Sequence, residues 1–301
     1  MGSKTNRPVG FTIVELLVVI SIITVIIGIL LPAFTAMRHR ARDLVKQSGM
    51  RDVWVGLSQY ATDNQGVLPE SVATVGDENT FVSWQDPTMI TGFTTRAPGY
   101  RRSLSAYLTR YISGPEILIC PYAPEPLPYW KDAWHAGDSW NNPRTPTLND
   151  SLYGTFNHYW GYRGALAGGQ YVFEGPTLIE GRRTQSNLLL CDNLNFANTS
   201  VRTFSGFTSC ERLPHDFELR DDDSAQPIWA SNEPPHLLAE LSDSLKAVFL
   251  DGHIETYSSL DTYAMEVSKS LDGSTPYTGT TPGYFFIPRT AVKDIHRLVR
   301  R

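Results

Sequence analysis

The chain has 301 residues, 26 Lys and Arg against 31 Asp and Glu, 41% apolar side chains and three cysteines, enough for one large or two ordinary domains with a core. Charge is uneven: net +3 over residues 1–66 and −8 over the rest. An acidic body with no long basic stripe and no zinc-ligand spacing argues against nucleic acid as the partner.

The first element is "GFTIVELLVVISIITVIIGILLPAF", residues 10–34, in which Glu15 is the one formal charge. From Phe11 to Phe34, at about 1.5 Å per residue, it spans roughly 36 Å, enough for a bilayer core of about 30 Å. A strand of that length is excluded by ordinary strand lengths of about 3–10 residues. A cleaved secretory signal would have a shorter apolar stretch and a small-residue end. The reading is a transmembrane helix preceded by a short head carrying Lys4 and Arg7.

The helix is expected to continue to about Asn64. Met37, Ala41, Leu44, Val45, Ser48, Val53, Leu57 and Tyr60 recur at three- and four-residue steps, an amphipathic stripe. Pro32 interrupts the hydrogen-bond ladder and is the expected kink. Gly49 and Gly56 weaken the helix without ending it. Turn residues in "TDNQGVLPES" stop it.

Beyond Val67 the texture changes to short apolar runs among prolines and glycines. "EILICPY", "SNLLLCDN" and "KAVFLDGHIETYS" read as strands, the last as a hairpin turning at Asp251-Gly252. The tract from Tyr122 to Trp160 reads as loop-rich. The expectation is an α+β fold, a long helix packed against an antiparallel sheet with large loop insertions. By domain, residues 11–65 are the helix and 66–301 a β-rich head, and the resemblance that follows implies that residues 1–10 are a leader.

Gly10-Phe11-Thr12-x-x-Glu15 followed by an apolar run resembles the processing site of type IV prepilins and type II secretion pseudopilins. The resemblance implies a pilin-like fold and cleavage between Gly10 and Phe11 by a membrane-embedded prepilin peptidase, which methylates Phe11. Glu15 then matches the family's glutamate and Pro32 its helix-loosening proline. It also implies an inner-membrane protein with a cytoplasmic N-terminus and an extracytoplasmic head, assembling with other pilin or pseudopilin subunits. Arg38, Arg40, Arg42 and Lys46 outnumber Lys4 and Arg7, so the positive-inside rule alone places the C-terminal side in the cytoplasm. The resemblance requires the opposite.

A carboxylate at membrane depth costs about 2.5–3.5 kcal/mol on insertion scales. Cleavage creates a cation, the ammonium of Phe11, which a neighbouring subunit could bring to Glu15. The competing reading is that Glu15 stays hydrated near the interface. "FLDGHIE" is also similar to a C-terminal Asp-Gly motif of large pilin-like proteins of planctomycete-type bacteria, matched by Asp251, Gly252 and His253. That motif's upstream histidine is not at its usual distance here, where His236 stands instead. A tight hairpin with an exposed histidine is the plainer reading.

The remaining constellations are sparse. Cys120, Cys191 and Cys210 would allow one disulfide in an oxidising compartment, although Cys120 and Cys191 close apolar runs and read equally well as buried thiols. Asp221, Asp222 and Asp223 offer oxygens to calcium, but without EF-hand-like spacing, and a solvated acidic turn competes. No other cofactor or metal is expected. His215-Asp216 and Asp251-x-His253 set acids beside imidazoles, but no G-x-S-x-G, H-E-x-x-H, P-loop or dinucleotide fingerprint accompanies them. The expected role is structural, as a subunit of a pilus or secretion pseudopilus, and not enzymatic. The alternative is a membrane-anchored binding protein that does not polymerise, with Trp134 and Trp140 stacking on glycan or contacting a secreted substrate. The basic end, "VKDIHRLVRR", reads as a solvated terminal helix.

Overall fold

A computed structural model describes residues 12–75, 83–84, 87–91, 101–121, 130–141, 152–166, 171–180, 186–193, 195–197, 203–204, 217–218, 245–258, 261–266 and 283–292. The chain divides into two units, Met1–Val45 and Lys46–Arg301. The division falls inside the first helix.

Helix α1 runs from Ile13 to Asp63 without interruption at Pro32. A proline there lacks the N–H that would bond Gly28, a loss tolerated by the four-residue ladders on either side. In the first unit none of the described side chains is buried: residues 12–42 are exposed, and Asp43 is half-buried. Exposure among the large apolar side chains runs from 44% at Val19 to 83% at Ile13. Hydroxyls within this stretch bond their own helix, Ser21 to the Val18 carbonyl at 2.7 Å and Thr24 to the Ile20 carbonyl at 2.6 Å. Such bonds would satisfy these hydroxyls inside a bilayer, where water is absent.

In the second unit the buried face of α1 is Lys46, Met50, Val53, Gly56, Leu57 and Ala61, a clean three- and four-residue period. Only Val53 and Leu57 of the predicted stripe belong to it. Met37, Leu44 and Val45 are 61–66% exposed, because the packed part of the structure starts at Lys46. Asn64 and Gly66 close the helix, the Gly66 N–H donating to the Ala61 carbonyl at 2.7 Å.

Two further helices are α2 (Ser105–Leu108) and α3 (Trp130–Ala136). The described strands are, in chain order, β1 (Thr74–Val75), β2 (Ser83–Trp84), β3 (Met89–Thr91), β4 (Leu152–Tyr153), β5 (Phe156–His158), β6 (Arg163–Leu166), β7 (Tyr171–Glu174), β8 (Leu188–Asp192), β9 (Asn195–Ala197), β10 (Thr203–Phe204), β11 (Phe217–Glu218), β12 (Leu245–Phe249), β13 (Ile254–Tyr257), β14 (Thr262–Glu266) and β15 (Gly283–Pro288). They form a four-stranded sheet, β13-β12-β8-β5, a five-stranded sheet, β7-β6-β14-β15-β9, and three two-stranded ribbons. Every pairing is antiparallel. The architecture is α+β, a long N-terminal helix with antiparallel sheets, consistent with a pilin-like fold.

All five residues of β8 and all five of β12 are buried. Burial on both faces explains why "LLLCD" and "LKAVF" read as apolar runs without alternation. Val248 of β12 pairs with Leu190 of β8, which pairs with His158 of β5. One core joins Met50, Val53, Leu57 and Ala61 of α1 to Leu188, Leu189, Leu190, Val248, Tyr159 and Trp160. Each large side chain fully buried there contributes about 1.5–3 kcal/mol.

One local expectation is corrected. "EILICPY" is not a strand: Pro115–Leu118 is a 3-10 turn, for which Pro115 supplies a helix-compatible φ, and the Cys120 N–H is taken by the Thr155 hydroxyl at 2.7 Å. Among the described residues, the tract 122–160, read as loop-rich, holds α3, a 3-10 turn at Gly137–Ser139, and the short strands β4 and β5. In α3, Trp130, Ala133 and Trp134 are buried at i, i+3 and i+4, so packing of one face specifies it.

Candidate functional site

The start of α1 is a reciprocal cap. Thr12 donates both its backbone N–H, at 2.9 Å, and its hydroxyl, at 2.8 Å, to one Glu15 carboxylate oxygen. The Glu15 N–H returns to the Thr12 hydroxyl at 3.2 Å. This is a capping box, in which two orphan donors of the first turn are satisfied within the turn itself. An acid at this position also faces the positive end of the helix dipole. Glu15 therefore has its partners within its own turn. The T-x-x-E signal was present in the sequence, where Thr12 entered as part of the processing-site motif and its capping role was not read. Gly10 and Phe11 lie outside the described residues.

The apolar helix that follows is long and apolar enough to cross a membrane. An exposed hydrocarbon surface of this size is not stable in water and needs a lipid or protein neighbour.

A second candidate region is where α1 meets the four-stranded sheet. Lys46 Nζ lies 2.8 Å from Asp192 Oδ2, with both side chains fully buried. The same oxygen accepts the Lys246 backbone N–H at 2.8 Å, and Lys246 Nζ donates to the Thr256 hydroxyl at 2.6 Å. Lys46 thus leaves the exposed basic patch to which the sequence assigned it. Asp192 closes the buried strand β8, and an acid at the end of an all-apolar run was the available signal. No local pattern could name its partner 146 residues away.

Trp54 Nε1 donates to the Leu250 carbonyl at 2.9 Å, tying the helix to the turn between β12 and β13. The turn is the predicted hairpin, with Gly252 at φ +81°. A Cβ there would lie 2.8 Å from the Trp54 ring, so glycine serves both the left-handed conformation and the close approach. His253 stacks on Phe249, ring centroids 4.5 Å apart. Its Nδ1 and its N–H both engage the Asp251 carboxylate. Burial pulls Asp251 upward, but these bonds from His253 outweigh it and hold the carboxyl below its ordinary range. The hairpin is a helix-docking device, and Asp251 and His253 order its tip. Gly56 is a second point of close approach: a Cβ there would run into the Ile112 side chain.

Cys120 and Cys191 are buried thiols and are not joined to each other. Burial pushes Cys191 up to about 12, with the nearby Asp192 charge adding to it. Trp134 and Trp140 are 3% and 6% exposed, which removes the ring faces proposed for glycan stacking; they fill core space instead. Cys210, His215, Asp216, Asp221, Asp222, Asp223 and His236 lie outside the described residues, as does the segment "VKDIHRLVRR" beyond its first residue, Val292, which is buried. Among the described residues no cluster of three or more His, Cys, Asp or Glu is placed to hold a metal ion.

In comparison with known proteins, the chain is 35% identical over 66 residues to the type IV wide pilus major component PilA4 of Thermus thermophilus, a match covering 22% of this chain and 50% of that protein. The chain thus spans half the length of the curated relative it matches. No family model matches the chain, and no solved structure matches it. The similarity and the long apolar N-terminal helix together fit a pilin-like protein.

Proposed function

We propose that this chain is a structural, pilin-like subunit. It inserts through α1 with its N-terminus in the cytoplasm, is cut by a prepilin peptidase between Gly10 and Phe11, and is methylated at Phe11. It then packs by the same helix against other pilin or pseudopilin subunits in a fibre. The observation that carries this reading is the capped, wholly exposed apolar half of α1. Such a surface asks for lipid first and for neighbouring helices later. The similarity to a wide-pilus component supports the same role.

The capping box depends on Thr12 and Glu15 alone, so cleavage before Phe11 leaves it intact. The new ammonium at Phe11 then stands one residue from Thr12, and a neighbour's ammonium can take up the carboxylate's remaining acceptor capacity. Partial neutralisation by the local cap lowers the cost of carrying Glu15 through the bilayer.

Intact mass with N-terminal fragmentation, on protein from membranes and from sheared surface material, tests the proposal. A chain beginning at N-methylated Phe11 is the expected result. A start at Met1 leaves an uncleaved anchor, and a start beyond Ala33 a secreted protein; either overturns the processing route. In the same material, Glu15→Ala is expected to leave cleavage intact and to remove fibres, and normal fibres would remove Glu15 from assembly.

A further inference from the structure

His158 is the most unusual polar side chain in the head. It is 4% exposed, and neither ring nitrogen has a hydrogen bond of good geometry, the Met89 backbone being the polar group nearest to serving as one. Its ring lies against Trp160, centroids 4.9 Å apart. It stands on β5, an edge strand of the four-stranded sheet. Residues 87–91 run against it, with Thr88, Met89, Ile90 and Thr91 all buried. The strap carries β3, which pairs with β4 and bridges from Thr91 to Ser103; its other backbone bonds are the His158 N–H to the Pro87 carbonyl at 2.8 Å, the Gly154 N–H to the Thr88 carbonyl, and the Leu104 N–H to the Ile90 carbonyl at 2.9 Å.

Among the described residues, the charges around it cannot welcome an imidazolium. The strap itself, Pro-Thr-Met-Ile-Thr, has no ionisable side chain. Across the sheet His158 pairs with Leu190. The nearest acid by register is Asp192, a diagonal neighbour already held by Lys46 and the Lys246 N–H; Lys246 beyond it is another cation. On the ribbon that binds the strap, Arg102 is a buried cation, and the Asp138 carboxylate is committed to the backbone N–H groups of Arg102 and Ser103 and to the Arg101 side chain. A buried, unpaired cation is far costlier than a few opened backbone bonds.

We propose that residues 87–91 are an acid-released strap: protonation of His158 is incompatible with the closed strap, which lifts from β5 to let the imidazolium reach water. Burial drives the closed imidazole down to about 3 from its ordinary value near 6.5, the Met89 backbone offsetting this only in part. With the strap open the ring binds protons more readily, so stability of the closed form is lost as pH falls below the ordinary value. The open fraction rises about tenfold per pH unit below 6.5 and levels off near the closed-state value.

Amide hydrogen exchange on the full chain in detergent micelles, from pH 7 to pH 4 and corrected for intrinsic rates, tests this. Protection of the His158, Gly154 and Leu104 amides is expected to fall about tenfold per unit, while amides of β12 hold. In His158→Leu the fall is expected to vanish. An equal fall in that variant, or an equal fall across β12, would overturn the strap. If His158→Leu does not fold, the imidazole of the unaltered chain decides by NMR. Titration near 6.5 with the three amides still protected overturns the proposal, and titration that tracks their loss supports it.

Discussion

Replacing Asp192 by alanine takes from the Lys46 ammonium its 2.8 Å carboxylate, in a site where both side chains are fully buried. Breaking a buried pair from one side costs about 3–5 kcal/mol. The Lys246 N–H loses its 2.8 Å acceptor as well, and an orphaned buried donor costs about 1–3 kcal/mol. The two losses share one site and do not simply add, so the expected total is about 4–6 kcal/mol. A domain stability of about 5–15 kcal/mol leaves little after such a loss. The assay is denaturant unfolding of the full chain in detergent, followed by the fluorescence of its seven tryptophans. Lys46→Met with Asp192→Leu is the necessary companion, since an apolar pair of similar volume removes the buried charge and should recover most of the loss. A cost below about 1 kcal/mol for Asp192→Ala, the range of an exposed surface pair, would refute the reasoning. So would a double variant no better than the single one.

Gly252→Ala meets both a left-handed φ and the Trp54 ring, so a loss of about 1–3 kcal/mol is expected in the same unfolding assay. An unchanged midpoint would mean that the turn and Trp54 do not lock together. The Cys191 thiol, buried and pushed up to about 12, should resist alkylation in the folded chain and react only in denaturant. Peptide mass mapping showing modification at the rate of an accessible thiol would contradict its placement.

Local rules determined a great deal about this chain. Residues 11–34 are apolar for longer than any strand, so helix and membrane reach follow from length and hydropathy alone. The cap at Thr12 and Glu15 closes within one turn, and the Asp251-Gly252 bend joins strands four residues apart, so both were written in adjacent residues. The tertiary structure decided which face of α1 is buried. Met37, Leu44 and Val45 have the same period as Met50, Val53 and Leu57, and only the presence of the sheet distinguishes them. It also decided the fate of the exceptions. Lys46 is a surface cation by composition and a core residue by virtue of Asp192, and Trp134 and Trp140 become core through packing of their turns. "EILICPY" has strand composition but no strand beside it, and it folds as a 3-10 turn. A helical turn or tight bend satisfies its hydrogen bonds from its own neighbours, so sequence can specify it. A buried charge or ring is stabilised only by partners brought from far along the chain, and those exist only in the folded head.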